Sequence, residues 1–236
     1  PRGTEAPGEA LNPLDATTLG GAVRLSVELP IRLLSILAIL VLTHRLGVLG
    51  FGEFTLTLGV GLVIAEFADL GLSQGLVRNV VGGAVTARDI FTVKGQLTAL
   101  TLGVGGGALA ALSKIPGFDS LTITLCMIHY VGFSWIECVG STLRAHGRIW
   151  AEAALLLLSR VVLVALIGLT GLSETPRLAA TAYALAAGPG LLLGALLSAP
   201  HLSGATRRSS SRAVLREALP LGLNGLLSRL TVRVEV

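Results

Sequence analysis

The chain reads as a succession of apolar windows, each about the 20 residues that a helix needs to cross roughly 30 Å of hydrocarbon. They fall at about 22 to 43, 53 to 70, 90 to 113, 120 to 142, 151 to 172 and 178 to 199, and a further one starts at about 218. Short polar or Gly/Pro-bearing stretches separate them: HRLGVLGFG, SKIPGFD, RAHGR, SETPR and the longer HLSGATRRSSSR. Composition leaves little room for another solution. The chain is 52% hydrophobic and 14% charged, with a mean hydropathy of +0.79. A soluble domain needs about a quarter of its residues charged to stay dispersed. The expected fold is therefore an all-α polytopic transmembrane bundle, with six complete spans and the start of a seventh. The seventh window runs out at Val236 in apolar sequence, which we read as part of a longer parent chain.

Residues 1–20, PRGTEAPGEALNPLDATTLG, combine Pro, Gly and acids without a basic or apolar signal region, and read as a disordered cytoplasmic tail. Residues 21–200 form the six-span lobe, 201–216 a basic cytoplasmic loop, and 217–236 the beginning of the next span. With the N-terminus inside, cytoplasmic segments collect Arg2, Arg24, Arg32, Arg78, Arg88, Lys94, Arg144, Arg148, Arg207, Arg208, Arg212 and Arg216, against Arg45, Lys114 and Arg177 outside. That bias sets the orientation by the positive-inside rule. The net charge of +4 follows from topology. Scattered cations without interleaved aromatics do not make a nucleic-acid surface.

Metal and nucleotide chemistry find no support. Cys126 and Cys138 lie 12 residues apart on one span, roughly 18 Å along a helix, too far to bridge. The four histidines lack ligand spacing, and no cofactor motif is present. The glycine cluster LGVGGGALAA, residues 102–111, falls inside a span, where small residues serve close helix packing.

Ionisable residues inside spans carry the information, because they face partners or water-filled cavities. Glu28 and Arg32 stand four apart around Pro30, either at a cavity or at the inner interface. Tyr130, Ser134, Glu137 and Ser141 recur at helical spacing and draw a polar stripe on the fourth span. Arg160 is the deepest cation of the six spans; it requires an acid such as Glu137 or an anionic ligand. The last segment adds Asn224, Arg229, Arg233 and Glu235. Glu66 and Asp69 close the second span, where acids at a helix C-terminus oppose the macrodipole and call for a cation. Arg78 and Arg24 are the nearest by topology. Glu66, Asp69 and Arg78 would form an interfacial ion network or a cytoplasmic gate.

Four stretches resemble, in order, the first half of bacterial oligosaccharide flippases, the polysaccharide-export branch of the multidrug/oligosaccharidyl-lipid/polysaccharide exporter superfamily. They are the LG...FGEF turn after the first span, ADLGL with a following LVR after the second, LRA.GR...E entering the fifth, and LPLGL...R.E of the seventh. The chain departs from the pattern in LGVLGFG, where LGP is frequent, and in Glu235, where Asp is common. The resemblance implies one lobe of a two-lobed exporter in the bacterial cytoplasmic membrane, without cofactor and without enzymatic activity. It implies flipping of an undecaprenyl-diphosphate-linked oligosaccharide by alternating access, alongside the polymerase and glycosyltransferases of the same pathway. Arg24, Arg32, Arg160, Arg229 and Arg233 would then contact diphosphate or sugar. Glu28, Glu137 and Glu235 would balance charge or carry the coupling ion. Two other readings remain: a drug/cation antiporter of the same superfamily, and a membrane-embedded enzyme of polysaccharide assembly.

Overall fold

The computed structural model describes residues 13–81, 85–114, 119–169, 174–202, 214–216 and 218–220, all helical or in the turns between helices. Six helices follow in order: α1 (Pro13–Glu66), α2 (Leu72–Val81), α3 (Ala87–Leu112), α4 (Ser120–Ala145), α5 (Ile149–Leu169) and α6 (Pro176–Leu202). Five are long and apolar enough to cross a membrane: Glu28–Glu66 within α1, then α3, α4, α5 and the Pro176–Pro200 part of α6. The last four match the windows read from sequence. The membrane-protein reading therefore holds, and the chain is a multi-pass helical bundle by helix length and composition.

The first two windows fold differently from expectation. They join into α1 through the stretch expected to be a loop, interrupted at Gly47 (φ 67, ψ 176). That φ is left-handed and favours glycine. Helical dihedrals continue through Pro30. Of the segment expected as a tail, residues 13–20 belong to α1, with Pro13 at its first turn, where a proline lacks no needed donor; residues 1–12 lie outside the described part. Residues 39 in number between Glu28 and Glu66 would extend about 58 Å as a straight helix, roughly twice the hydrocarbon thickness. Gly47 divides them into two arms.

Both arms feed one core. Ala38 and Leu42 of the first and Phe54 of the second pack with Cys126 of α4, Leu163 and Ile167 of α5, and Tyr183 of α6. Phe54 meets Tyr183 edge to face, ring centres 5.3 Å apart.

Side-chain registers give the helix directions. Thr57 lies beside Cys126, and Asp69 beside Ser134, so the second arm runs parallel to α4. Lys94 meets Ser134, while Gly105 approaches Met127, so α3 is antiparallel to α4. α6 is parallel to α4, because Gly132 faces Ala187, Ile136 faces Gly190 and Val139 faces Gly194.

Helix α4 is the hub. A side chain at Gly132 would come within 2.9 Å of Ala187 Cβ, and one at Gly61 within 2.8 Å of the Cys126 Cβ and Met127 backbone. Small residues thus set these helix separations, the device expected where lipid offers no hydrophobic drive between helices. The 102–111 glycines conform only at Gly105, whose Cβ would meet Ile64; Gly103, Gly106 and Gly107 face open space. Cys126 and Cys138 are buried and free, as their spacing required.

Helix α2 lies where a connector was expected. Leu72 and Leu76 are buried against Val85, Ile90, Val93 and Cys138, and the same cluster takes in Val214 and Ala218. The four-residue repeat of its leucines puts both on one helix face.

Candidate functional site

A buried polar network forms where the end of α1, α2, α3 and α4 meet. Helix α3 starts from a capping box: the Thr86 hydroxyl accepts from Asp89 N at 3.2 Å, and Thr86 N donates to Asp89 Oδ2 at 3.3 Å. Two turns on, the Lys94 side chain is 0% exposed. An ammonium there must place its three donors or forfeit its hydration. It forms an ion pair with Asp69, donates to Ser134 Oγ at 2.7 Å and reaches Ser73 Oγ at 3.4 Å. Ser73 and Ser134 in turn donate to Asp69 Oδ1, at 2.6 and 3.2 Å. The Trp135 ring lies 5.8 Å from the ammonium, and its Nε1 donates to Thr98 at 3.0 Å.

The turn that supplies Asp69 is conformationally special. After α1 ends at Glu66, Leu70 (φ 41) and Gly71 (φ 78) adopt left-handed conformations before α2 begins. Glycine accepts this freely, whereas Leu70 does so at a cost of about 1–2 kcal/mol. Strain of this kind persists only where the surroundings enforce it, and here the neighbouring Asp69 is fixed by three donors.

A second polar feature lies deeper. Arg160 stands midway along α5, and its Nε is buried without a hydrogen-bond partner among the described residues. Its guanidinium covers the Phe133 ring at 4.5 Å, a cation–π contact worth about 0.5–2 kcal/mol. It lines a narrow cleft with His129, Phe133, Ser159, Ala186 and Ala187. His129 is held in place because Nδ1 donates to the Tyr183 carbonyl at 2.7 Å. No described carboxylate lies within ion-pair distance of Arg160. Glu137, half-buried on the same helix as Phe133, feels the charges of Asp69, Lys94, Arg160 and Arg144. It makes no ion pair with any described cation.

Three further ion pairs lie among the described residues. Arg144 grips both oxygens of Glu152 across the α4–α5 turn, with Nε to Oε2 at 2.8 Å. At the opposite end, Asp119 caps α4 through Thr122 N at 3.3 Å and takes Arg177 of α6 at 3.2 Å. Burial pushes the Asp119 carboxyl up, but the Thr122 hydroxyl and amide and the Arg177 guanidinium outweigh it, so it lies below its ordinary 3.8. Glu28 and Arg32 pair at 2.7 Å with side chains 41% and 72% exposed, on an open face of α1.

Of the residues singled out by sequence, the structure brings together Asp69, Ser134 and the neighbourhood of Glu137, and places Arg160 in the interior. It gives Asp69 a different cation from those considered, Lys94. Asp69 leaves α1 through a left-handed turn and so meets α3, which topology alone could not foretell. The side chains of Arg24 and Arg78, and Arg229, Arg233 and Glu235 entirely, lie outside the described residues. Lys94 carried one legible signal: a lysine inside the third window, seven residues beyond Ala87, is too deep for a loop cation. Among the described residues no group of three or more His, Cys, Asp and Glu could hold a metal ion. No family profile, no curated protein and no solved structure matches the chain.

Proposed function

We propose that the chain is one lobe of a transporter in a bacterial cytoplasmic membrane, N-terminus inside, that flips a lipid-linked oligosaccharide diphosphate by alternating access. The observation that carries this reading is Arg160: a guanidinium at the middle of a spanning helix, its buried Nε unmatched and no carboxylate in ion-pair contact with it among the described residues. Such a group costs about 2.5–3.5 kcal/mol to insert. An anionic ligand would offset that cost, and the fork of an arginine suits phosphate oxygens. Tyr130 stands beside His129 on α4 and adds a polar group of the kind that a hydrated sugar would require. The chain's two arms around Gly47 would make two spans, giving six in this lobe. Glycosyltransferases and a polymerase would supply and consume the cargo.

Arg160→Ala is expected to abolish export of surface polysaccharide while the amount of protein in the membrane stays unchanged. Arg160→Lys keeps the charge but loses the fork and should retain only part of it. Unchanged export in Arg160→Ala removes this residue from the path and the reading with it.

A further inference from the structure

The oxygens around the Lys94 ammonium have the makings of an ion site. Asp69, Ser73 and Ser134 come from the α1–α2 turn, α2 and α4, and converge on a single point with one negative charge among them. All three are hard oxygen donors, the set that binds alkali and alkaline-earth cations. One carboxylate balances a single positive charge, and no second carboxylate among the described residues pairs with Lys94, so a divalent ion would remain half-compensated. Trp135 closes one side at 5.8 Å. The occupant of this nest is the chain's own ammonium, at 0% exposure and with its donors turned to the three oxygens. We propose that Asp69, Ser73 and Ser134 form a monovalent-cation site that the chain fills permanently with Lys94. The native protein then needs no sodium or potassium there, and removal of the ammonium opens the site to an alkali ion.

Charge and volume decide the occupant. Taking away one partner of a buried ion pair leaves an uncompensated charge that is costly to bury. Lys94→Ala leaves the Asp69 carboxylate, already holding two hydroxyl donors, beside a void the length of the lysine stem. A small cation is the ligand that satisfies it. Among the described charges near the nest none substitutes: Glu137 on α4 is an acid, and Arg144 is engaged by Glu152.

The test uses the purified chain in detergent, with thermal unfolding measured in sodium, potassium or N-methylglucamine chloride at equal ionic strength. Wild type should melt at one temperature in all three salts. Lys94→Ala should melt about 5 °C higher in sodium or potassium than in N-methylglucamine, with saturation as the ion is titrated. Asp69→Asn/Lys94→Ala, with no charge left to neutralise, should lose the difference. The proposal fails if Lys94→Ala melts alike in all three salts, if it is unfolded in all three, or if the double variant keeps the sodium effect. None of these readouts depends on transport.

Discussion

At the scale of the residue, the deciding contrast is between two buried cations. Lys94 has every donor engaged, whereas Arg160 Nε has no partner among the described residues; the first reads as structure, and the second is where we propose that a ligand binds. Asp69→Asn should therefore cost about 3–5 kcal/mol of stability, because it leaves the ammonium inside without its counter-charge. Adding Lys94→Met should recover most of that loss, and a double-mutant cycle of unfolding in detergent measures the coupling directly. Asp119 predicts an acid response instead. Its folded carboxyl lies below the ordinary 3.8, so its contribution is present above that value and disappears as pH falls through the lower, folded one. Wild type should lose stability relative to Asp119→Asn only below about pH 4; a difference that grows above pH 6 would contradict the assignment. The depth of Arg160 was legible in the sequence, because a 20-residue window fixes depth. The partner of Asp69 was not, because a pairing 25 residues apart depends on a turn at Leu70 and Gly71 whose conformation no periodicity encodes.

At the scale of the element, glycines that look alike in sequence do different work. Gly61 lies against Cys126 and Met127, and an alanine Cβ there would sit 2.8 Å from backbone. Gly61→Ala should force α1 and α4 apart and cost about 1–3 kcal/mol. Gly106 has nothing within 4 Å, so Gly106→Ala in mid-helix should gain about 0.5–1 kcal/mol through reduced backbone freedom of the unfolded chain. Opposite signs in paired thermal melts would confirm that packing, and not glycine content, defines the α1–α4 seam. The bounds of α3 to α6 were legible because long apolar windows leave few alternatives. Helix α2 was not, since SQGLVRNV is short and mixed in polarity; it becomes a helix through the burial of Leu72 and Leu76 against α3 and α4.

At the scale of the whole molecule, sidedness follows from how often α1 crosses the membrane, and the turn between α4 and α5 reports it. If the arms on either side of Gly47 each cross, the chain is back on the N-terminal side at α2. Arg88, Arg144 and Arg148 then all lie on that side, in keeping with the cation bias. If α1 crosses once, the α4–α5 turn moves to the opposite side and the bias is inverted at each of these positions. The parallel courses of the second arm, α4 and α6 hold in both cases, so only sidedness separates them. Single cysteines can report it, because the native Cys126 and Cys138 are buried and should contribute little background. Leu49, 91% exposed beside the Gly47 break, and Arg148, exposed at the α4–α5 turn, are the positions of choice. With an impermeant maleimide on intact cells, Leu49→Cys should be labelled and Arg148→Cys should react only after the membrane is opened. Labelling of Arg148→Cys on intact cells, with Leu49→Cys unreactive before and after the membrane is opened, would make α1 a single long crossing.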